Sequence, residues 1–426
     1  MRKISKISLV AAVAVAGFST ANAQPLEEAI KNVDVSGSVV YRYNNYDRDL
    51  KTTPSSSNQT ENNNYKIALN LSSKVNDYVK FNSRFIVGDK TDFVGLSSKK
   101  DAAGDTNASI TLSQAYFGLT AIPNTVVNIG KQGLATPYTV AVDINGNEQT
   151  GNGILALTTV GPVTAGAGYF NATNVNESGN GIISNAKLFS ALNTAGANGK
   201  GGLDMYVATV QGDLDFVKLE AWYAGLQNTF NSYTLAATSN LDLAENAKLG
   251  LEARYVALTF NNKVKTLVGL TSEDNSMFRF AVDGKFSIVN ARLAYTMTDK
   301  DGGLTALDQD AKNTSLGWAI TSNGVADAKY FQAALGADIL DNLNLTAHYG
   351  KLKADKADAG RTTLTSHSLV GNLQDELKQE EIYGQLTYKM SKNLSTYLRY
   401  GNFEQKIGGV KDFDQNMGRL QVAYTF

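Results

Sequence analysis

The sequence predicts an all-β chain, a transmembrane antiparallel β-barrel of 18 strands with long external loops and short periplasmic turns. Three observations carry this expectation. Segments of about ten residues, the length a tilted strand needs to cross the hydrocarbon core, alternate apolar and polar side chains with period two. Beyond an N-terminal leader, no run of roughly 18 apolar residues offers a spanning helix. The final segment carries an apolar stripe that runs up to a terminal aromatic, Phe426.

The leader comes first along the chain. Arg2, Lys3 and Lys6 make a positive start, Ile7 to Phe18 an apolar stretch, and Ala21-Asn22-Ala23 a small-residue cleavage site. Residues 1–23 therefore read as a signal peptide and 24–426 as a single barrel domain. Removing Arg2, Lys3 and Lys6 from 39 basic residues leaves 36 against 40 acidic ones, a net charge of −4. A nucleic-acid partner would want the opposite balance. The absence of cysteine excludes a disulfide framework and thiolate metal sites.

The strands follow. Val33, Val35, Val39, Tyr41 and Tyr43 alternate with Asp34, Ser36, Ser38, Arg42 and Asn44; Val79, Phe81, Phe85 and Val87 oppose Lys80, Asn82 and Arg84; Phe278, Phe280 and Val282 oppose Arg279, Asp283 and Lys285. A packed soluble core would not take unpaired charge on its wet face, whereas a water-filled lumen would. The pattern gives strands near 33–46, 64–75, 78–88, 107–120, 124–132, 153–161, 162–171, 203–212, 214–226, 229–239, 246–260, 276–286, 287–298, 328–339, 343–353, 379–390, 393–404 and 415–426. The even count suits a single-chain bacterial barrel, and 16 stays open because the patterns around 172–212 and 226–240 are the least regular.

Connections are expected to alternate strictly between tight turns, such as Gly161-Pro162 and Asp341-Asn342, and long polar loops. That alternation puts both termini on the periplasmic side of a bacterial outer membrane, facing lipid along the wall. The prolines agree, since a ring without an N–H cannot sit inside a closed ladder: Pro25 precedes the first strand, and Pro54, Pro123, Pro137 and Pro162 fall in connections.

The segment Pro25-Leu26-Glu27-Glu28-Ala29-Ile30-Lys31, then Val33-Asp34-Val35-Ser36-Gly37, with Gly130-Lys131-Gln132 and Tyr424-Thr425-Phe426, resembles the major outer membrane protein family of Campylobacter and related bacteria. The resemblance implies a homotrimeric, 18-stranded general-diffusion porin with cation preference, passing small hydrophilic solutes.

A pore of this kind is narrowed by an inward loop, and the third long connection, from Gln132 to Gly153, is the candidate by order. It carries Asp143 and Glu148 as constriction acids. Facing it, the predicted register supplies a basic lumenal wall of Arg42, Lys80, Arg84, Arg254, Arg279, Arg292, Arg399 and Arg419. Opposed acids and bases across a constriction create a transverse field that sorts solutes by charge. Asp143, Asn145 and Asn147 alternate as in a calcium loop, but Glu148 stands where the turn needs Gly and Ile154 where the bidentate Glu should be. No cofactor is required; Asp143 and Glu148 could still join Glu220, Glu252 or Asp283 around a divalent cation such as calcium. Catalysis has little to stand on, with only His348 and His367 and no Gly-x-Ser-x-Gly context. The alternative function is a surface adhesin or structural barrel with little channel activity. Leu420, Val422, Tyr424 and Phe426 match a signal read by the outer-membrane assembly machinery through a free strand edge.

Overall fold

The structure, a computed structural model, describes residues 33–50, 57–88, 93–95, 109–175, 204–268, 272–355, 363–365, 368–370 and 375–426. The leader, Pro25, Pro54 and His367 lie outside the described residues. Eighteen strands make the barrel: β1 (Val33–Leu50), β2 (Ser57–Asn76), β3 (Val79–Val87), β4 (Ile110–Leu119), β5 (Thr125–Gly133), β6 (Thr150–Val160), β7 (Val163–Thr173), β8 (Met205–Leu214), β9 (Val217–Leu226), β10 (Phe230–Ala244), β11 (Ala247–Phe260), β12 (Asp274–Phe286), β13 (Val289–Thr298), β14 (Ala328–Leu340), β15 (Leu343–Ala354), β16 (Leu377–Lys389), β17 (Leu394–Ile407) and β18 (Val410–Thr425). One short helix, α1 (Asn262–Val268), follows β11.

Each strand pairs antiparallel with its sequence neighbours, and β18 returns to β1 in the register Val39↔Tyr424, Tyr41↔Val422 and Tyr43↔Leu420. The ring is thereby closed, and no ladder edge is left for stray pairing. Phe426 finishes the seam: its N–H donates to the Gly37 carbonyl at 3.1 Å, and Gly37 N–H to the Phe426 carbonyl at 2.9 Å.

Burial is inverted relative to a soluble protein. On β12, Phe278 and Phe280 are 41% and 45% exposed while Arg279 between them is 8% exposed. The same holds on β1, where Val35 and Val39 face out and Arg42 and Asn44 are buried. Period-two alternation has put the apolar set against lipid and the polar set in the lumen.

Tight turns gather at the end that holds Val33 and Phe426. Several need a left-handed residue, supplied by Gly161 (φ 58), Asp215 (φ 60) and Ser287 (φ 51). At the opposite end the expected strict alternation fails twice. Residues 227–229 form a short connection, and β17 and β18 run on through positions expected to be loop until Gly408 (φ 58) and Gly409 (φ 80) close a two-residue hairpin. Positive φ at both central residues is what such a hairpin requires, and consecutive glycines meet it without strain. The remaining described connections at this end are longer, and two of them, 134–149 and 299–327, turn into the barrel. The apolar clusters lie under these loops: Leu134, Tyr138, Phe170 and Leu307 in one, Ile320, Tyr330, Leu352 and Phe403 in the other.

Candidate channel constriction

Segment 134–149 leaves β5 and returns to β6 as a compact hairpin, held at its base by Leu134 N–H on the Gln149 carbonyl at 2.8 Å. Its tip is an Asx-type turn. The Asp143 carboxylate accepts the N–H groups of Asn145 and Asn147, both at 2.8 Å, and the Asn147 side-chain amide at 2.6 Å. Asp143 with Asn145-Gly146-Asn147 gives this turn because short polar side chains satisfy local donors and Gly146 takes φ 79.

The tip docks on the inner faces of β1 to β4. Arg42 donates to the Ile144 carbonyl at 2.7 Å and to Asn145 Oδ1 at 3.0 Å, and Lys66 donates to the Gly146 carbonyl. Arg84 forks onto Glu148 from Nε at 3.0 Å and Nη2 at 2.8 Å. On β4 a bulge sets Arg84 and Phe85 opposite Gln114 and Leu112, leaving Ser113 extra and its hydroxyl on Glu148. The bulge re-aims a side chain, as bulges beside functional sites do. Glu148 is 1% exposed.

Segment 299–327, between β13 and β14, lies against the opposite wall. Arg279 donates to the carbonyls of Thr314 and, at 2.9 Å, Lys312. Glu252 steadies both wall arginines, at 2.6 Å from Arg279 and 3.0 Å from Arg254. Gln332 donates to the Leu316 carbonyl at 3.0 Å, and Glu381 accepts backbone N–H groups from Trp318, Ala319 and Ile320.

The two loops meet in mid-lumen. Leu307 N–H reaches the Tyr138 carbonyl at 2.8 Å, Asn313 N–H the Pro137 carbonyl at 2.9 Å, the Gln149 amide the Leu307 carbonyl at 3.0 Å, and Ile144 N–H the Asp310 carboxylate at 2.9 Å. A continuous hydrogen-bonded bridge thus runs from β1–β4 to β10–β16. Three acids converge at the junction, Asp143 from one loop and Asp308 and Asp310 from the other. Burial, and then the neighbouring Asp308 carboxylate, push the Asp143 carboxyl up to about 7. Burial also raises Asp310, with Asp143 adding to it and the Ile144 N–H opposing.

Beside the bridge a cavity of about 880 Å³ follows the walls of β4 to β9 down to the Gly161-Pro162 turn, lined by Gln114, Asn128, Gln132, Gln211 and Trp222, with Asp310, Lys312 and Glu220 at the loop level. A second cavity, of about 760 Å³, lies toward the tight-turn end and is lined by Asp242, Lys248, Asp283, Lys285, Arg292, His348 and Gln385.

The residues singled out in the sequence fall as follows. Asp143 and Glu148 are buried in the first loop, one capping its own turn and the other on Arg84. Arg42, Arg84, Arg254 and Arg279 hold the loops. Arg292 pairs with Asp283 at 2.6 Å in the second cavity. Arg399 donates to Gln385 and lies 5.1 Å from the Trp318 ring and 5.0 Å from the Tyr383 ring; Arg419 donates to Asn44 and Tyr46. Lys80 is exposed near the turn that precedes β3. Glu220 lies 3.5 Å from Lys312 and 3.9 Å from Arg254. His348 stacks on Tyr383 at 4.4 Å. Leu420, Val422, Tyr424 and Phe426 share the outer face of β18, with the last two rings stacked at 5.8 Å. Among the described residues no group of three or more His, Cys, Asp or Glu could hold a metal ion. Sequence reasoning missed Asp308, Asp310, Trp318 and Glu381. The one signal that could have found the loop is Trp318 with Ile320 in a segment otherwise read as solvent-facing.

The family model for the Campylobacter major outer membrane protein matches residues 1–426. No curated protein matches the sequence. Among solved structures, Acinetobacter baumannii OccAB3 is similar at a TM-score of 0.67 and 14% identity, covering 92% of this chain and 99% of that one. Pseudomonas aeruginosa OpdL gives 0.67 and 15% over 92% and 99%, and P. aeruginosa OccK1 (OpdK) 0.65 and 15% over 92% and 98%. These likenesses concern the barrel fold.

Proposed function

The chain belongs to the Campylobacter major outer membrane protein family, and from that premise we propose that it is a general-diffusion porin, a homotrimeric, cation-preferring channel for small hydrophilic solutes and ions. It is an outer-membrane β-barrel, and we assign its tight-turn end, which holds Val33 and Phe426, to the periplasm. Its constriction is the loop bridge, with Asp143 and Glu148 as members.

One observation carries the reading: the bridge leaves a passage on one side, and the charges nearest that passage are not the ones that line the rest of the wall. Arg84 is cancelled by Glu148, Arg254 and Arg279 share Glu252, and Arg292 has Asp283. Arg42, Arg399 and Arg419 are engaged by loop carbonyls, amides and rings. At the junction, Asp310 has no ion-pair partner among the described residues. An uncompensated acid at the narrowest point acts on every ion, while paired or distant wall charges are damped beyond about 8 to 10 Å. The trimer is carried over from the family.

Planar-bilayer recording under a salt gradient tests this. The expected record has steps in threes and a reversal potential on the cation side, which Asp143→Asn with Asp310→Asn moves toward zero. An unchanged reversal potential would overturn the selectivity assignment. Purified, folded protein without conductance would point to the adhesin or structural barrel instead.

A further inference from the structure

We infer that Glu381 is the positioning residue that fixes the second loop and so sets the width of the passage, an inference that rests on the constriction reading above. Residues 316–321 form a small hairpin, pinned by the Leu316↔Thr321 bridge. At its tip three consecutive N–H groups, of Trp318 (3.1 Å), Ala319 (2.7 Å) and Ile320 (3.3 Å), converge on the Glu381 carboxylate. Tyr330 completes the set with its hydroxyl at 3.4 Å. Successive backbone donors of this kind make a nest suited to an anion, and here the anion is a side chain from β16.

The surroundings are cut to fit that carboxylate. On the next strand, a Cβ at Gly350 would lie 3.0 Å from Glu381, and one at Gly317 would collide with the carboxylate itself. Glu381 is 2% exposed and has no ion-pair partner among the described residues, so its charge is spent on the loop backbone. From the other side the Trp318 ring sits edge-on to Tyr383 at 5.4 Å and under the guanidinium groups of Arg399 and Arg419, at 5.1 Å and 5.8 Å. The tip is gripped through its backbone by an acid and through its ring by cations. The same loop carries Asp310 and Lys312, which line the passage, so the grip on its tip bears on where they stand.

The chain has two tryptophans, so Trp222→Phe leaves Trp318 as the sole reporter of the tip. In that background Glu381→Ala, and more mildly Glu381→Gln, should shift Trp318 emission to longer wavelength and raise its quenching by acrylamide. Unitary conductance should rise and become noisier, and cation preference should weaken. Heat-modifiable migration reports that the barrel has folded, and Glu381→Gln serves should the alanine variant fail to fold. An unmoved Trp318 signal would overturn the latch whether or not the protein conducts. A released Trp318 with unchanged conductance would overturn the claim that the latch sets the passage. The fluorescence readout needs no channel, so failure of the porin reading alone leaves it intact.

Discussion

Replacing Glu148 by Gln isolates the ion pair that docks the first loop. Arg84 meets Glu148 with two nitrogens at 2.8 and 3.0 Å, and the Glu148 side chain is fully buried while Arg84 is 15% exposed. Removing one member of a buried pair commonly costs about 3 to 5 kcal/mol. The loss here is smaller, because Gln keeps one acceptor oxygen and Arg84 retains Asn70 at 2.8 Å; the value of a hydrogen bond to a charged group, roughly 1.5 to 3 kcal/mol, is the better guide. The strand ladders are untouched, so the cost falls on loop docking. At about 1.4 kcal/mol per tenfold, the ratio of undocked to docked loop rises roughly 10- to 150-fold. Single-channel records should show this as new sub-states and excess open-channel noise, with the heat-modifiable transition of the barrel little changed. Arg84→Met with Glu148→Leu removes both charges, leaves none buried alone, and should return the record toward wild type. A quiet Glu148→Gln channel, or a double variant as noisy as the single, would refute the assignment.

The Asp143 carboxyl gives the junction a pH dependence of known sign. A group whose pKa is raised to about 7 on docking contributes stability that is complete below its ordinary value and is lost as pH rises through 7. The facing groups are Asp308 and Asp310 on the second loop and Asn145 and Asn147 on its own, so open-channel noise should be low at pH 5 and higher at pH 8, and Asp143→Asn should flatten the difference. At the seam, deletion of Phe426 combined with Tyr424→Ala removes the two Gly37 hydrogen bonds and the outer aromatic pair. Under the proposed assembly signal, this chain accumulates as protease-sensitive material in the periplasm, and normal outer-membrane levels would leave these residues a packing role alone.

The barrel was legible because lipid and water impose opposite demands on neighbouring residues, and Phe278-Arg279-Phe280 meets both within three positions. Even the irregular stretch near 226–240 carries enough of this contrast, since Tyr233 and Leu235 face out while Ser232 and Thr234 are buried. Where both faces are wet the contrast vanishes. Glu404-Gln405-Lys406 and Lys411-Asp412 stand past the apolar part of their strands, so the β17–β18 hairpin could be recognised only through Gly408 and Gly409, and its strands were read too short.

The interior of the pore was far less legible, for a different reason. A loop folded into a wet lumen satisfies its backbone with its own side chains, as Asn323 does for the N–H groups of Thr305 and Ala306 and Ser322 does for Ser315. The composition that results, rich in Asp, Gly, Thr, Ser and Asn, is the one an external loop also has, so apart from Trp318 and Ile320 nothing in 299–327 tells where it goes. Glu381 shows the same degeneracy from the wall side. Period two puts it on the inner face with Gln379, but nothing local distinguishes a carboxylate facing water from one that holds a backbone nest some sixty residues earlier in the chain. The basic wall carries the general lesson about fields. Sequence order set its arginines against Asp143 and Glu148, whereas Arg254 and Arg279 find Glu252 on their own or the adjoining strand, and Arg399 lies against the Trp318 ring. A list of lumenal charges does not give the field in a pore, because a charge with a partner at 3 Å contributes little at 10 Å. The field belongs to the few groups that the fold leaves uncompensated, and which groups those are is decided by the loops.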